Sequence, residues 1–210
     1  MFLKKVLLLI VMAFMPILSY SQEDDLFLSE EGKHLSFRDV AIDGSLKAFI
    51  SQIKTKGFSP LYVSEDNSGA ILDGKFIGKE VDLVIVTTPK TKTVWKVAVD
   101  FEDQISWYSL KSDYLDLKSS LTIKYGVPKS YEYFRSPYEE GDGYEMTAIY
   151  AEKCVYVSYF DVVENGRVIG SISLGIQKRE TKGYIALHYE DATNAQKMRT
   201  EKNERVYDEL

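Results

Sequence analysis

The sequence predicts an α+β fold of two tandem units, each a helix followed by an antiparallel sheet, with the helices packed on one face of the sheets. Two segments carry apolar residues at a helical period, each ends at a glycine, and each precedes segments in which apolar and polar residues alternate. The units cover residues 22–105 and 106–190. A signal peptide at residues 1–21 precedes them, and a charged C-terminal tail at residues 191–210 follows.

The first 21 residues have the pattern of a signal peptide. Lys4 and Lys5 precede an apolar run at residues 6–18, and Ser19 and Ser21 place small residues at positions −3 and −1 of a cleavage site. The apolar run is too short, and too closely followed by acidic residues, for a membrane span. We therefore expect cleavage after Ser21 and a mature chain that is periplasmic or secreted, with no membrane span.

Charge and cysteine content limit the possible partners. The chain has 26 Lys and Arg against 32 Asp and Glu, and removal of the two signal-peptide lysines leaves 24 against 32, a net charge of −8. This acidity argues against nucleic acid and against an anionic membrane surface as partners, since both require a cationic surface on the protein.

Cys154 is the only cysteine, so no internal disulfide forms. Its apolar neighbours predict a buried, unreactive thiol.

The first helix is predicted to begin at Leu46, with Asp43 or Ser45 as its N-cap. Gly57 is predicted to take the left-handed conformation that ends the helix, and Phe58 to fold back against it. The buried stripe has the spacing i, i+3, i+4, i+7 and comprises Leu46, Phe49, Ile50 and Ile53.

Strands follow this helix. Residues 69–77 and 80–88 predict a hairpin that turns near Gly78, with Asp73-Gly74 as a competing turn site. Residues 91–101 alternate, which predicts one buried face and one wet face. The buried side chains are Trp95, Val97, Val99 and Phe101, and the opposite side chains are Lys92, Lys96 and Asp100.

The second helix repeats this plan, with Ser106 or Ser109 as its N-cap and with Gly126 and Pro128 at its end. Its apolar stripe comprises Leu110, Tyr114, Leu117 and Leu121. A helix before a sheet therefore occurs twice, about sixty residues apart, which indicates a duplicated unit. The alternative is that α+β chains also place helices before strands by chance.

The second sheet is predicted from residues 130–134, 145–152, 154–163, 167–177 and 184–190. Asn165-Gly166 is the strongest turn in the chain, because both residues tolerate a positive φ. The predicted core-facing residues of the strand that follows this turn are Val168, Ile172, Leu174 and Ile176. The tail at residues 191–210 is predicted to be a loosely docked or frayed helix.

Short motifs along the mature chain resemble a group of uncharacterised exported proteins of Bacteroides-type bacteria. In the first unit they are Leu35-Ser36-Phe37, Ile42-Asp43-Gly44-Ser45-Leu46, Lys56-Gly57-Phe58 and Leu72-Asp73-Gly74-Lys75-Phe76. In the second unit they are Trp107, Tyr114, Leu117-Lys118, Leu121, Lys124-Tyr125-Gly126 and Pro128. The group has no assigned activity, so the resemblance implies none.

The tandem plan is also similar to the β-lactamase-inhibitor-protein fold and to small envelope proteins of the outer-membrane assembly lipoprotein type. The chain lacks the disulfides of the first group and the lipidated cysteine of the second. The likeness therefore implies a fold and no function.

Catalytic motifs are absent from the sequence. Only His34 and His188 are available as imidazoles, and His188 is predicted to face solvent or the opposite side of its strand. We expect no metal and no cofactor. The carboxylates considered for acid–base chemistry lie in polar segments, which favours a solvated surface over catalysis; they are Asp100, Glu102, Asp103, Asp113 and Asp116.

The loop at residues 136–145 is the most distinctive irregular segment. Its acidic spacing does not match a calcium-binding loop, and a flexible acidic hairpin tip is the simplest interpretation. Because loops with aromatic and charged residues often carry recognition, its candidate binding residues are Tyr138, Glu139, Glu140, Asp142 and Tyr144. Tyrosines around the second sheet indicate either a binding face or ordinary half-buried strands; they are Tyr131, Tyr133, Tyr138, Tyr144, Tyr156 and Tyr159.

The absence of catalytic motifs and the number of strand tyrosines favour a non-enzymatic exported binding or structural protein of the bacterial envelope. Its partner would be another envelope or secreted protein. One alternative is a carboxylate-dependent hydrolase acting on envelope polysaccharide, which requires two acids about 5–10 Å apart in a cleft. A second alternative is a proteinaceous inhibitor of another exported protein, which requires a concave sheet rimmed by residues 136–145.

Overall fold

The computed structural model describes residues 33–208, with only the backbone described for Arg205, Tyr207 and Asp208. The predicted signal peptide and its cleavage site lie outside these residues. The strands are β1 (Ser36–Phe37), β2 (Val40–Ala41), β3 (Ser59–Val63), β4 (Gly69–Phe76), β5 (Lys79–Thr87), β6 (Val94–Phe101), β7 (Lys129–Phe134), β8 (Cys154–Glu164), β9 (Arg167–Arg179) and β10 (Lys182–Asp191). The helices are α1 (Leu46–Lys54), α2 (Trp107–Tyr125), α3 (Glu145–Tyr150) and α4 (Ala192–Asp208).

The fold is α+β, with a large antiparallel sheet. Eight strands form this sheet in the order β3-β4-β5-β6-β10-β9-β8-β7, and β1 and β2 form a separate pair. Strands β3–β6 come from the predicted first unit and β7–β10 from the second. The last strands of the two units, β6 and β10, pair along Lys96–Asp100 and Ala186–Glu190. Both units therefore contribute to one sheet.

The apolar stripes predicted for α1 and α2 are buried in one hydrophobic cluster. Leu46, Phe49 and Ile53 of α1 belong to this cluster, whereas Ile50 is only partly buried. The α2 residues in the cluster are Leu110, Tyr114, Leu117 and Leu121. The strands contribute alternate residues, including Val97, Val99 and Phe101 of β6 and Ile172, Leu174 and Ile176 of β9.

Helix caps and turns follow the local sequence. The hydroxyl oxygens of Ser45 and Ser106 accept the N-cap hydrogen bonds of α1 and α2. Gly57 and Gly126 have φ values of 93° and 91°, the left-handed region predicted for them. Asn165 and Gly166 also have positive φ, as the predicted hairpin turn requires.

The hairpin turn predicted near Gly78 is confirmed, one predicted strand is wrong, and one strand was not predicted. Residues 145–150 form helix α3 and not a strand, because Met146 and Ile149, which lie three residues apart, both pack against the core, whereas Tyr150 is exposed. Strand β3 was not predicted, since Pro60 lowers the strand signal. Asp73-Gly74 lies inside β4 and not in a turn; a Cβ on Gly74 would lie 2.6 Å from the Phe58 ring, which explains a glycine within the strand.

The C-terminal segment is a helix, as predicted, but it is firmly and not loosely docked. The side-chain amide of Asn194 donates hydrogen bonds to the carbonyl oxygens of Ile42 and Val94, at 3.0 and 3.2 Å. The Glu201 carboxylate accepts hydrogen bonds from the backbone N–H groups of Lys90 and Thr91, at 2.7 and 3.1 Å. These polar contacts were missed because the prediction considered only the few apolar residues of the helix.

Among residues 33–208, no helix combines the length and the apolar character that crossing a bilayer requires.

Candidate functional site

The predicted binding loop lies between β7 and α3, and two of its acidic groups are bound by the loop itself. The Asp142 carboxylate accepts hydrogen bonds from the backbone N–H groups of Glu139, at 2.9 Å, and Tyr144, at 2.7 Å. The Glu145 carboxylate accepts one from Gly141 at 2.8 Å. The loop is thus an internally bonded part of the connection between the antiparallel strands β7 and β8, and this connection also contains α3.

Glu140 fixes this loop on the helical side of the sheet. Its carboxylate forms an ion pair with Lys111 of α2 and accepts a hydrogen bond from the hydroxyl of Tyr156 at 3.0 Å. The hydrogen bond from Lys111 lowers the pKa of Glu140 below its usual value. Since Tyr156 belongs to the hydrophobic cluster, the loop packs on the same side of the sheet as the core.

The predicted tyrosine cluster is divided between two sides of the sheet. Tyr156 points into the core. Tyr131, Tyr133 and Tyr159 occupy the alternate strand positions, whose side chains point to the other face of the sheet. The last three lie on what we call the second face, the sheet face opposite the hydrophobic cluster. Tyr131 and Tyr133 are 40% and 45% exposed, and the rings of Tyr131 and Tyr159 meet edge to face at 6.4 Å.

One continuous row of side chains crosses the second face from β4 to β7. Each residue is the direct partner of the next across the strand pairs, so all seven side chains share this face. The row consists of Asp73, Asp82, Asp100, Ala186, Gly175, Val157 and Tyr131. The three carboxylates at one end, Asp73, Asp82 and Asp100, are called here the acidic row. Apolar residues and a glycine follow, and the exposed Tyr131 lies at the other end.

Asp100 is the buried end of the acidic row, at 2% exposure. Its Oδ2 atom accepts a hydrogen bond from Nη2 of Arg179 at 3.0 Å, and Nη1 of Arg179 donates to Oδ1 of Asp103 at 3.0 Å. The Arg179 guanidinium carbon lies 4.3 Å from the centre of the Tyr184 ring. The prediction that Asp100 lies on a wet face is therefore wrong, because Arg179 and Tyr184 shield it from water.

The acidic row concentrates like charge. Burial raises the pKa of Asp100 to about 7, and Asp82 acts in the same direction, whereas Arg179 lowers it. Partial desolvation also raises the pKa of Asp82, although its side chain still reaches solvent. Like charges directly opposite each other destabilise an antiparallel pair, so this row costs stability. Such a site favours a bound proton or a positively charged hydrogen-bond donor.

One atom of Asp100 lacks a partner. Its Oδ1 oxygen is buried and has no hydrogen-bond partner among residues 33–208. A buried acceptor without a donor costs about 1–3 kcal/mol. The neighbouring Asp73 and Asp82 are exposed, so the acidic row reaches solvent beside Asp100.

The other residues considered for chemistry do not join this site, apart from Asp103. Asp113 pairs with Lys79 and Gln104, while Glu102 and Asp116 are exposed. His188 lies on the second face, as one of the two predicted orientations requires, yet it is buried, and burial holds its pKa well below the usual value.

Cys154 is half-buried, and burial raises the pKa of its thiol to about 12, which agrees with an unreactive thiol.

Sequence reasoning missed the arginine at the centre of the site. Arg179 lies 79 residues from Asp100 in the sequence, so no local motif joins them. The sequence did indicate the side of the sheet, because the alternation along residues 91–101 placed Asp100 on the face opposite the core. In residues 33–208, no group of three or more His, Cys, Asp or Glu side chains is arranged to hold a metal ion.

Comparison with known proteins found no matching family model, no matching curated protein and no matching solved structure.

Proposed function

We propose that this chain is an exported protein of the bacterial envelope, periplasmic or secreted, that binds another envelope or secreted protein through the second face of its sheet. The observation that carries this proposal is the row from Asp73 to Tyr131, which crosses seven strands on the face opposite the core. The signal-peptide pattern at residues 1–21 supports export.

The chemistry of the row matches protein recognition. Exposed tyrosines supply large contact area together with a polar hydroxyl, a combination that is enriched at interfaces. The acidic row offers the exposed carboxylates of Asp73 and Asp82 to a cationic or hydrogen-bonding group of the partner. Between the two ends, Ala186, Gly175 and Val157 are buried, so the surface offered to a partner lies at the two ends of the row.

We also propose that the two halves of the sheet derive from one duplicated unit, with the helices on one face. The same element order, α1 before β3–β6 and α2 before β7–β10, supports this. The shared cluster formed by the buried residues of α1 and α2 supports the placement of the helices. The resemblance to exported proteins of Bacteroides-type bacteria fits the same proposal.

The test is capture followed by reconstitution. Partners captured from envelope extract are identified, purified and titrated against wild type, a Tyr131→Ser/Tyr133→Ser variant and Asp82→Asn. We expect each variant to weaken binding at least about tenfold, roughly 1.4 kcal/mol. Tyr108→Ser is the control, since Tyr108 is 84% exposed on α2. Equal affinity for all four proteins would refute the second face as the contact surface.

A second candidate function is a carboxylate-dependent hydrolase acting on envelope polysaccharide. It is favoured by one observation, the direct cross-strand pairing of Asp82 with Asp100, and burial raises the pKa of Asp100 to about 7. A carboxylic acid that stays protonated near neutral pH is the group that protonates a leaving oxygen in glycoside hydrolysis. Release of reducing ends by wild type and its loss in Asp100→Asn would support it; no release by wild type would exclude it for that substrate.

A further inference from the structure

The free edge of β7 lacks two of the devices that block the addition of another strand. Strand β7 lies at one end of the sheet and, among the described strands, pairs only with β8. Its register is unbroken from Lys129, opposite Tyr159, to Phe134, opposite Cys154. The strand contains no proline and no bulge, which are two common devices for blocking edge pairing.

The ladder shows which backbone groups point away from the sheet. The N–H of Arg135 donates to the carbonyl of Lys153 at 2.7 Å, in the same register as the β7–β8 pairs. Residues in an antiparallel pair alternate between bonded and non-bonded positions, so odd-numbered residues bond to β8. The N–H and C=O groups of Ser130, Glu132 and Phe134 are therefore directed outward.

Helix α2 holds β7 in place from the core side. The Glu132 carboxylate accepts hydrogen bonds from the Tyr114 hydroxyl at 2.9 Å and from Lys118 at 2.6 Å. Ser130 and Ser158 are joined through their hydroxyls at 2.8 Å. The edge is thus fixed in a strand conformation before any partner arrives, which lowers the ordering cost of binding.

Cations without carboxylate partners flank this edge. Lys129 at the start of β7, and Arg135 and Lys153 at its end, form no ion pair with residues 33–208. Lys129 instead lies 5.6 Å from the centre of the Tyr131 ring. These residues make a local positive border on an acidic chain, and a second copy of β7 would bring the same cations together.

We infer that an extended, acidic segment of the partner protein adds to β7 as a ninth strand. Backbone hydrogen bonds to Ser130, Glu132 and Phe134 would hold this segment. Its carboxylates would face Lys129 and Arg135, and its side chains would pack beside Tyr131 and Tyr133. The inference rests on the proposed function, because it names the mode in which the second-face surface receives its partner.

The test selects peptides from a displayed random library against the wild-type protein and measures their affinity for two variants. Ser130→Pro removes one outward N–H and leaves the bonds to β8, whereas Ser130→Ala removes the same hydroxyl and keeps that N–H. We expect the selected peptides to be rich in Asp and Glu and free of proline. Their Kd should rise at least about tenfold for Ser130→Pro relative to Ser130→Ala, the loss of one well-formed hydrogen bond and its neighbours.

N-methylation of the peptide makes the test independent of the folding of Ser130→Pro. Two peptides are compared, one methylated on its odd-numbered amides and the other on its even-numbered amides. One should lose binding and the other should keep it, because only one edge of an added strand faces β7.

Equal loss of binding by the two methylated peptides, or equal peptide affinity for the two Ser130 variants, would overturn strand addition. If Ser130→Pro leaves partner affinity unchanged while Tyr131→Ser/Tyr133→Ser removes it, strand addition fails and the proposed function stands. If neither variant matters, both fail. Concentration-dependent self-association of the wild type that Ser130→Pro removes would assign the edge to a second copy and would also overturn the inference.

Discussion

The two edges of the sheet, β3 and β7, are built in opposite ways. Strand β3 has five residues, contains Pro60, and loses register with β4 between Pro60 and Tyr62. Strand β7 has six residues in unbroken register, two exposed tyrosines and flanking cations. Edge strands left open invite pairing, and natural proteins usually block them. One edge of this sheet carries a proline and a register shift, and the other carries neither, which is why the proposed strand addition is assigned to β7.

The largest expected effect tests the burial of the apolar stripe of α1, on the half of the chain that contains the β3 edge. Phe49 of α1 is fully buried, on the β3–β6 half of the chain. Phe49→Ala should lower the free energy of unfolding by about 3–5 kcal/mol, because it removes buried apolar area and leaves a cavity. Leu115→Ala on α2 is the control, since Leu115 is 42% exposed. Similar losses for the two variants in denaturant unfolding would contradict the assignment of the helix stripes.

The next prediction concerns the acidic row, which lies nearer the β3 edge. Burial raises the pKa of Asp100 to about 7, above the unfolded value of about 3.9. The folded protein then keeps a proton that the unfolded chain has lost, so the free energy of unfolding falls as pH rises from about 4 to about 7. Asp100→Asn should remove roughly 2–4 kcal/mol of this fall.

Denaturant titrations of Asp100→Asn and the wild type between pH 4 and 8 measure this effect as a difference. Buried His188 acts in the opposite sense, because its pKa is lowered and stability falls as pH drops below about 6.5. Both proteins keep His188, so its contribution cancels. Parallel pH profiles for the two proteins would refute the raised pKa of Asp100.

A smaller effect is expected beneath the β7 edge. The Tyr114 hydroxyl is hydrogen-bonded to Ser158 at 2.6 Å and to Glu132 at 2.9 Å. Tyr114→Phe should lower the free energy of unfolding by about 1–2 kcal/mol, because buried partners lose a hydrogen bond. The matched control beside the β3 edge is Tyr62→Phe, since the Tyr62 hydroxyl forms no hydrogen bond with residues 33–208. Equal changes in melting temperature would show that Tyr114 does not anchor β7.

The smallest expected effect is at the β3 edge itself. Pro60→Thr restores one backbone N–H to β3 but leaves the register shift between Pro60 and Tyr62. Peptides selected on the wild type should bind this variant with unchanged stoichiometry and with a Kd within about twofold. A second bound peptide per molecule would mean that Pro60 alone prevents strand addition at β3.

Periodicity predicted the parts of the fold that depend on local sequence. The stripes of α1 and α2, the caps at Ser45 and Ser106, and the Asn165-Gly166 turn follow from residue spacing within a few turns of chain. Helix α3 was mistaken for a strand, because six residues are too few to separate the two periods. The fold class was predictable, whereas the short elements were not.

The candidate site depends on contacts between distant residues, which a single sequence does not show. Alternation placed Asp100 on the correct face, but its burial depends on Arg179 and Tyr184, which come from strands near the end of the chain. Glu140 was selected for its loop, yet its partners Lys111 and Tyr156 hold it on the helical side. The pairing of β6 with β10, and of β10 with β9, brings Asp100 to Tyr184 and Arg179.

Amide exchange at β7, with and without a bound acidic peptide, tests the contact surface most directly. In the free protein, the N–H groups of Ser130, Glu132 and Phe134 should exchange fast, whereas those of Tyr131 and Tyr133 should be slow. Bound peptide should slow the first three to rates like those of their neighbours. Protection of these three in the free protein, or no change when the peptide binds, would contradict the account.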